Sequence, residues 1–345
     1  MGSVKDLEVN SFKKPGPDTL GIGRFIFSNR YSVFDWGEMP DHIDHKGEAL
    51  ALTAACFFEE LENRGIKTHY KGLVEKGETK KLSDIDEPTN TMEIELLRVI
   101  EPTYVDGRYD YSEYLKDRKG VLIPLEVIYR NSLPEGSSVF RRLKSGDLKL
   151  EDLGLKDFPS PGQKLTVPLV DFSTKLETTD RYLSQDEAMR ISGLSRKEMV
   201  ELKKIVTAVN SLITEGASGM GLVNEDGKFE FGFDPDKQFM LVDVLGTLDE
   251  CRFTFKGLPV SKELARIYYR RTRWYGDVNR TKRENGRRWK EFCPSPPPLP
   301  PQLKVSISEV YQSFANEMTR RNWFDVPSLK EILAGLKEEN KDLYG

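Results

Sequence analysis

Two consecutive apolar runs with charged side chains among them carry the residues best suited to chemistry. The first run is DGKFEFG and the second is QFMLVDV, and residues 234–237, DPDK, separate them. A turn rich in Asp and Pro between two such runs predicts a β-hairpin. Because successive side chains of a strand face opposite sides, Asp226, Lys228 and Glu230 share one face of the first run.

An acidic residue, Asp243, stands among the apolar residues of the second run. Burying a carboxylate in an apolar strand costs free energy unless it is paired or binds a metal. Glu230 and Asp243 could therefore hold Mg²⁺ between them, since this ion prefers hard oxygen ligands and bridged phosphates. A solvated hairpin with its charges outside is the alternative, and the pattern alone leaves both open.

A third charged strand is predicted at residues 121–131, VLIPLEVIYRN. Its alternation places Glu126, Ile128 and Arg130 on one face. An acid and an arginine therefore point into the same space.

Composition indicates an ordinary globular protein. The 345 residues are 38% hydrophobic and 31% charged, with a net charge of −4, so the chain can bury a sizeable core and has no overall basic footprint for nucleic acid. Its three cysteines are scattered, which predicts neither a disulfide framework nor a zinc site and fits a reducing cytosol. No apolar run approaches the ~18 residues of a membrane span, so we expect a cytoplasmic protein.

Elsewhere the local patterns predict scaffold. Ser184 and Ser195 each begin a capping box, and the helix after Ser195 is expected to end at Gly216 and Gly219. Residues 75–90 are interpreted as a loop and residues 144–183 as a linker-like segment. The proline-rich stretch PSPPPLPPQ is interpreted as a wrap around the body of the protein rather than a docking motif.

The two runs of the hairpin also resemble a known family. DGKFEFG followed by VDVLGTLDECR is similar to the paired signature of the phosphoribosylaminoimidazole-succinocarboxamide synthases, D-x-K-x-E-F-G and then D-E-x-x-[ST]-P-D-S-x-R. The residues that fall on family positions are Asp226, Lys228, Glu230, Asp243, Asp249 and Arg252. The strand at 121–131 resembles the family's P-x-E-x-x-x-R-N, which a Gly-Ser turn follows, here Gly136-Ser137.

Three N-terminal segments extend the resemblance. SNRYSVFD, which ends at Asp35, resembles the family's S-D-R-x-S-x-[FY]-D, and Lys46-Gly47 resembles its P-x-K-G turn. The family also has a G-K-x-[KR] turn that contacts ATP phosphates. We expect this turn at residues 10–14, NSFKK, where Ser11 departs from it and Lys13 keeps the second basic position.

The resemblance implies an α+β fold of two lobes with ATP in the cleft. It divides the chain into an N-terminal antiparallel β-rich ATP-binding lobe at residues 1–118 and a mixed α/β lobe at residues 119–260 that binds the nucleotide substrate and the metal. Residues 261–345 are then a helical, proline-rich extension that wraps the core.

The implied activity is an ATP-dependent amide ligation of de novo purine biosynthesis. ATP would phosphorylate the carboxylate of carboxyaminoimidazole ribonucleotide, and the amine of L-aspartate would displace phosphate to give the succinocarboxamide product, SAICAR. A carboxylate is a poor electrophile, and conversion to an acyl phosphate provides a leaving group. Small-molecule substrates are thus the implied partners, and the sequence leaves a homo-oligomer open.

The resemblance also implies roles for individual residues. Glu230 and Asp243 would hold Mg²⁺, and Lys13 and Glu126 would join them in binding ATP. The catalytic candidates are Lys228, Asp226 and Asp35. The substrate-binding candidates are Arg130, Gly136, Ser137, Lys46, Asp249 and Arg252. Among them, Arg130 and the Gly136-Ser137 turn would bind the ribose phosphate.

Four positions depart from the family pattern. Val244, Leu248 and Glu250 replace the pattern's Glu, Pro and Ser, and Thr254 replaces its Trp. These departures leave two alternatives. One is a sister ATP-dependent carboxylate–amine ligase with a different substrate, and the other is a non-catalytic protein that binds nucleotide, or nucleic acid through the basic, aromatic stretch 270–290.

Overall fold

Two antiparallel sheets form the framework of the chain in the computed structural model, which describes residues 4–10, 13–260 and 262–339, with only the backbone at 287 and 339. The first sheet has the strand order β1-β2-β5-β3-β4. Its strands are β1 (Lys5–Val9), β2 (Gly21–Phe27), β3 (Tyr70–Glu75), β4 (Glu78–Lys80) and β5 (Thr91–Leu96). Helix α1 (Lys46–Asn63) packs on this sheet, and it is buried along most of its length.

The second sheet carries the hairpin predicted from the sequence. A separate hairpin of β6 (Thr103–Val105) and β7 (Arg108–Asp110), followed by helix α2 (Ser112–Lys116), precedes it in the chain. The strands of the second sheet are β8 (Val121–Leu133), β9 (Gln163–Thr174), β10 (Tyr182–Leu183), β11 (Val223–Phe233), β12 (Phe239–Val242), β13 (Cys251–Phe255) and β14 (Leu258–Pro259). Their order is β10-β9-β8-β11-β13-β14, and β12 pairs with the end of β11.

The remaining helices lie after β8. They are α3 (Ser138–Ser145), α4 (Gln185–Ser192), α5 (Arg196–Gly219), α6 (Glu263–Arg270), α7 (Arg273–Asn285), α8 (Pro301–Thr319) and α9 (Leu329–Glu339), and the 3₁₀ turns are Leu82–Asp84, Glu151–Leu153 and Gly286–Glu291. Helices and antiparallel sheets together confirm the predicted α+β class. Among the helices of the described ranges, none combines the length and the apolar character that a membrane span requires.

The hairpin of β11 and β12 forms because its turn satisfies its own backbone. Asp234 Oδ1 accepts hydrogen bonds from the backbone N–H groups of Asp236 and Gln238, at 2.9 and 2.8 Å. Such Asx geometry favours a tight turn. The pairing of Phe233 with Phe239 and of Glu230 with Val242 then fixes the register, which confirms the predicted hairpin.

One face of the second sheet is apolar and packs against α5. Phe229 and Tyr129 stack there with ring centroids 5.0 Å apart, and both are fully buried. The buried stripe of α5 covers this face, and complete burial of each such side chain contributes roughly 1.5–3 kcal/mol. The opposite face of the same strands is left for charged residues.

Both predicted capping boxes occupy helix starts, although only the second is complete in both directions. The Ser184 hydroxyl accepts from the N–H of Glu187, and Ser195 and Glu198 bond reciprocally at the start of α5. Helix α5 does not stop at Gly216, as predicted, but continues to Gly219. Gly216 lies inside the helix, at a place where Met318 packs closely. A Cβ at this position would be 2.9 Å from the Sδ of Met318, which favours glycine.

Two further predictions are wrong in part. The segment 144–183, interpreted as a linker, contains the twelve-residue strand β9. Pro168 obscured this strand, and it lies where the pairing of β8 with β9 shifts register, a place at which a strand tolerates proline. The segment 75–90, interpreted as a loop, contains β4 and a 3₁₀ turn.

The two sheets are joined by backbone contacts beside β12. Thr68 forms a parallel bridge with Leu241, and the N–H of His69 donates to the carbonyl of Leu241 at 3.0 Å. A second bridge connects Arg98 to Val121. The end of β12 therefore lies where the two sheets meet.

Helix α8 and the proline-rich segment before it pack against other helices of the protein. Helix α8 packs on α1, and carbonyls of the proline-rich segment accept hydrogen bonds from Trp274 Nε1 and the Tyr269 hydroxyl, at 2.9 and 2.8 Å. The division of the chain into units at residues 118 and 260 stays a prediction.

A buried ion pair ties α1, the β12–β13 connection and α8 together. The Nζ of Lys46 lies 2.6 Å from Asp249 Oδ2, and the Tyr311 hydroxyl donates to Asp249 Oδ1 at 2.6 Å. Burial lowers the pKa of Lys46 despite this partner, whereas Lys46 and Lys262 hold the pKa of Asp249 below its ordinary value against the opposing effect of burial. Such a pair is costly to break, because the remaining charge would be buried alone.

We therefore predict that Lys46→Met lowers the free energy of unfolding by about 3–5 kcal/mol. Lys71→Met is the matched control, since Lys71 pairs with Glu95 at 3.4 Å on the surface and its loss should cost only about 0–1 kcal/mol. Denaturant unfolding of the two variants measures both values. Equal losses would contradict the structural role of the buried pair.

Candidate active site

The register between β8 and β11 assembles a charged face on the second sheet. Asp226 pairs with Arg130, and Glu230 pairs with Glu126, with Lys228 opposite Ile128 between them. Directly opposed residues of an antiparallel pair lie on the same face, close enough to interact. The charged residues that alternation had predicted on two separate strands therefore meet on one surface.

Lys228 is the centre of this face. Its Nζ lies 2.8 Å from Glu230 Oε1, 3.2 Å from Glu126 Oε1, 3.6 Å from Glu250 Oε2 and 3.8 Å from Asp243 Oδ2. We call these five residues the Lys228 cluster. Four carboxylates thus surround one ammonium group, and the lysine side chain is only 26% exposed.

Asp243 reaches the cluster through an unusual backbone conformation. Alternation from β12 would direct its side chain with Leu241, onto the apolar face. The strand instead ends at Val242, and Asp243 has a φ of 64°, in the left-handed region, which turns its carboxylate toward Lys228. The Nε2–H of His69 donates to the carbonyl of Asp243 at 2.9 Å and supports this turn.

Two more lysines approach the cluster from other parts of the chain. Lys5 of β1 places its Nζ 2.6 Å from Asp243 Oδ1, and Lys175, next to the end of β9, places its Nζ 2.6 Å from Glu230 Oε1. Lys5 belongs to the first sheet and Asp243 to the connection after β12. This ion pair therefore spans the junction between the two sheets.

Burial and mutual charge set the ionisation of the cluster. Burial, with the neighbouring charge of Asp243, raises the pKa of Glu230. Burial alone would also raise the pKa of Asp243, but the ammonium groups of Lys5 and Lys228 hold it below its ordinary value. The pKa of Lys228 is raised because its carboxylate partners outweigh burial, so this lysine stays charged at neutral pH.

Two arginines share one buried carboxylate at the other end of the charged face. Asp226 accepts from Arg130 Nη1 at 3.2 Å, and its two oxygens accept from Arg252 Nε at 2.7 Å and from Arg252 Nη2. Both oxygens of Asp226 are thus occupied. The geometry gives Asp226 the task of orienting two guanidinium groups, and it offers no support for the predicted catalytic role.

Further polar groups surround Arg130. Its Nη2 donates to the Ser138 and Tyr182 hydroxyls, each at 3.2 Å, and Arg142 binds Asp171 beside it. In the described part of the chain, the Nε atoms of Arg130 and Arg142 are buried without a hydrogen-bond partner. Unsatisfied donors at this place suit an anionic ligand.

The turn predicted to bind phosphate stands next to this arginine. Gly136 has a φ of 80°, and Ser137 begins α3, where its hydroxyl accepts from the N–H of Val139 at 3.4 Å. Free N–H groups at a helix start favour anions. A cavity of about 820 Å³ opens nearby, large enough for a nucleotide, and Tyr182, Asp171 and Asp180 are among its lining residues.

Comparison with known proteins shows which family the chain belongs to. A sequence model described as SAICAR synthetase matches residues 16–285. A provisionally named phosphoribosylaminoimidazole-succinocarboxamide synthase of Archaeoglobus fulgidus is 52% identical over 338 residues, which cover 98% of this chain and 99% of the relative. The chain belongs to the SAICAR synthetase family. Family membership makes it an enzyme, a ligase of purine biosynthesis.

Solved structures share the two-lobed SAICAR synthetase fold. The Saccharomyces cerevisiae SAICAR synthase in complex with SAICAR superposes with a TM-score of 0.62 at 20% identity, covering 94% of each chain. A type-2 SAICAR synthetase in complex with ADP gives a TM-score of 0.55 at 21% identity, covering 83% of this chain and 97% of that one. Both comparisons confirm the predicted fold.

Four residues that the family pattern suggested lie apart from the Lys228 cluster. Lys46 and Asp249 are buried against each other, so neither offers a free polar group to a substrate. Asp35 lies on the surface, 86% exposed, where it pairs with Lys282 of α7 at 2.8 Å. The side chain of Lys13 is exposed on the β1–β2 connection, and this geometry lends no support to the predicted contact with ATP.

Lys5 is the basic residue that the sequence reasoning missed. The family's G-K-x-[KR] turn was sought at residues 10–14, part of which lies outside the described residues. Gly2-Ser3-Val4-Lys5 also fits the pattern, with Lys5 at its last basic position and Ser3 in place of its first lysine. The position of Lys5 before β2 was the available signal, because the family's turn precedes that strand. In the structure Lys5 lies on β1, which pairs antiparallel with β2.

The donor set of the Lys228 cluster fits Mg²⁺. Its acidic members provide only oxygen ligands, and Glu230 and Asp243 both face the same ammonium group. Among the residues the structure describes, no three His, Cys, Asp or Glu side chains are arranged as a complete metal site. Proteins commonly hold Mg²⁺ through one or two carboxylates, with phosphates supplying other ligands.

The aromatic residues of the basic stretch 270–290 do not form a platform for nucleic acid bases. Trp274 and Trp289 are buried and pack on Trp36, with ring centroids 5.6 and 5.7 Å away. Stacking of bases requires exposed rings. The structure therefore gives no support to single-strand binding through this stretch.

His69 predicts a measurable pH dependence. Burial lowers its pKa from 6.5 to about 4, whereas the unfolded chain keeps the ordinary value. As the pH falls from 6.5 to 4, the unfolded state binds a proton that the folded state does not, so stability is lost, by roughly 3 kcal/mol. Over this interval the His69→Gln variant should lose roughly 3 kcal/mol less stability than the unmodified protein. Glutamine can donate the same hydrogen bond and does not titrate.

Urea unfolding between pH 4 and pH 7 measures the difference. His42→Gln serves as the control, since His42 is exposed and pairs with Glu38 at 2.9 Å. The account is wrong about His69 if both variants follow the pH profile of the unmodified protein.

Proposed function

We propose that this enzyme joins L-aspartate to the carboxylate of carboxyaminoimidazole ribonucleotide and hydrolyses ATP to ADP and phosphate in the process. The observation that carries the proposal is the charged face of β8 and β11. At one end carboxylates surround Lys228, and Lys5 and Lys175 pair with two of them. At the other end Arg130 and Arg252 share Asp226. The first end suits a metal-bound polyphosphate and the second a phosphate monoester.

The ligands of two solved relatives support the two classes of ligand in this proposal. One solved relative is in complex with ADP and another with SAICAR, so the fold accommodates both kinds of ligand in proteins of this family. We place ATP beside Lys5 and the Lys228 cluster, and the ribose phosphate beside Arg130 and Ser137. The buried Nε of Arg130 has no hydrogen-bond partner among the described residues, which supports an anion on this side.

The chemistry that this chain supplies is positioning and charge neutralisation. In the first step an oxygen of the substrate carboxylate would take the γ-phosphoryl group of ATP, with ADP as leaving group. The ammonium groups of Lys228, Lys5 and Lys175 would lie around the transferring group, where they offset its negative charge. In the second step the amine of L-aspartate would attack the acyl carbon, and phosphate and a proton would leave.

Glu230 and Asp243 would hold Mg²⁺ in this scheme. Bound there, Mg²⁺ would supply positive charge that offsets the charge of the nucleotide phosphates. Glu126 and Glu250 would remain as the acidic partners of Lys228. The low pKa of Asp243 keeps its carboxylate ionised and available as a ligand at neutral pH.

The proposal is tested by phosphate release from ATP with Mg²⁺, carboxyaminoimidazole ribonucleotide and L-aspartate, omitting one component at a time. We expect release only with all four present. Glu230→Gln should reduce kcat at least about a hundredfold, because it removes one of the two carboxylates proposed to hold the metal. Glu201→Gln on the exposed side of α5 is the control and should leave the rate unchanged.

Two results would contradict the proposal in different ways. Tight ADP binding without phosphate release would indicate a sister ligase with another carboxylate or amine. Full activity of Glu230→Gln would show that the metal lies elsewhere. The domain division and the cytoplasmic location suggested by the sequence belong to the same proposal, and localisation of a tagged protein would test the latter.

A further inference from the structure

Glu250 belongs to a firmly held part of the β12–β13 connection. The preceding residue, Asp249, is fixed by the buried Lys46 and Tyr311, and its carbonyl accepts from Lys262 Nζ at 2.8 Å. Arg252, two residues later, is held by Asp226. Glu250 is thus presented between two anchored neighbours, and its side chain is 17% exposed.

The side chain of Glu250 projects from this connection to Lys228. The distance from Glu250 Oε2 to Lys228 Nζ is 3.6 Å, similar to the 3.2 Å from Glu126 on the opposite strand. Lys228 is therefore approached from two sides, by Glu126 on β8 and by Glu250 on the connection. Glu230 and Asp243 are its other two partners.

Positions 244 and 250 are two of the places where this chain departs from the family pattern. The family pattern has Glu at 244 and Ser at 250, whereas this sequence has Val244 and Glu250. Val244 is 5% exposed and belongs to the apolar core, so it contributes nothing to the charged face. Of these two positions, only 250 therefore supplies a side chain to the charged face.

We propose that Glu250 is a positioning residue for Lys228, through the contact of its carboxylate with the Lys228 ammonium group. The inference rests on the proposed function, in which Glu230 and Asp243 serve as metal ligands. With these two carboxylates turned to the metal, Glu126 and Glu250 are what hold the Lys228 ammonium in the cleft. A largely buried lysine needs such partners to keep one geometry.

The test compares Glu250→Gln, which removes the charge at constant size, with Glu250→Asp, which keeps it, and with the control Glu201→Gln. We expect Glu250→Gln to lower kcat on the order of tenfold to a hundredfold, with little change in the KM values for ATP and L-aspartate. Glu250→Asp should restore much of the loss. If Glu250→Gln does not fold by circular dichroism, Glu250→Ser, the family's residue, replaces it.

A double substitution shows whether Glu250 acts through Lys228. In a Lys228→Gln background, which removes the charge that Glu250 contacts, Glu250→Gln should lower the remaining kcat by much less than it does alone, because the interaction is already lost. Equal losses in the two backgrounds would overturn the proposal. So would a Glu250→Gln enzyme as active as Glu201→Gln.

A second readout separates this inference from the proposed function. The rate at which a small amine-reactive ester labels Lys228, followed by mass spectrometry, reports how firmly its partners hold it. We expect labelling several-fold faster in Glu250→Gln than in Glu201→Gln, whether or not the unmodified protein releases phosphate. Absence of phosphate release would reject the proposed function, and unchanged labelling would reject the role of Glu250.

Discussion

The ion cluster around Lys228 is the constraint on which the rest of the site depends. An ammonium group among four carboxylates is stable only if each charge keeps its partners, because unpaired charges are expensive to bury. The antiparallel register of β8 and β11 meets this requirement, since it sets Glu126 opposite Glu230 with Lys228 beside them. A one-residue slip would move all of these side chains to the apolar face.

The two sheets contribute unequally to this cluster. The second sheet supplies most of its members, while the first supplies Lys5, whose ion pair with Asp243 spans the junction. The left-handed turn at Asp243 is what brings the two together, and His69 supports it through the backbone. Helix α8 contributes to the site indirectly, because the Tyr311 hydroxyl binds Asp249, the residue before Glu250.

The local pattern of the sequence was enough to predict part of this site. Side-chain direction in a strand is a local property, so alternation placed Glu126 with Arg130, and Lys228 with Glu230, on their faces before any pairing was known. The left-handed conformation of Asp243 and the approach of Lys5 depend on contacts between segments far apart in the chain. Neither follows from the alternation of side chains along one strand, and the ATP contact expected of Lys13 stays a prediction.

Resemblance to a family pattern was informative about identity and less so about individual roles. Asp249 and Lys46 fall on family positions, yet the structure buries them against each other as a structural pair. Asp226 falls on a family position too, and it orients two arginines. A pattern records that a residue type is needed, whereas its contacts show whether it faces ligand or protein.

The central claim is that the Lys228 cluster binds a metal-bound nucleotide. Crystals grown with ADP and Mn²⁺ would test it most directly, since Mn²⁺ can be located by its anomalous scattering. We predict an anomalous peak in contact with the carboxylates of Glu230 and Asp243, with the ADP phosphates beside Lys5. A Mn²⁺ peak remote from both carboxylates, or ADP bound outside this cleft, would contradict the account.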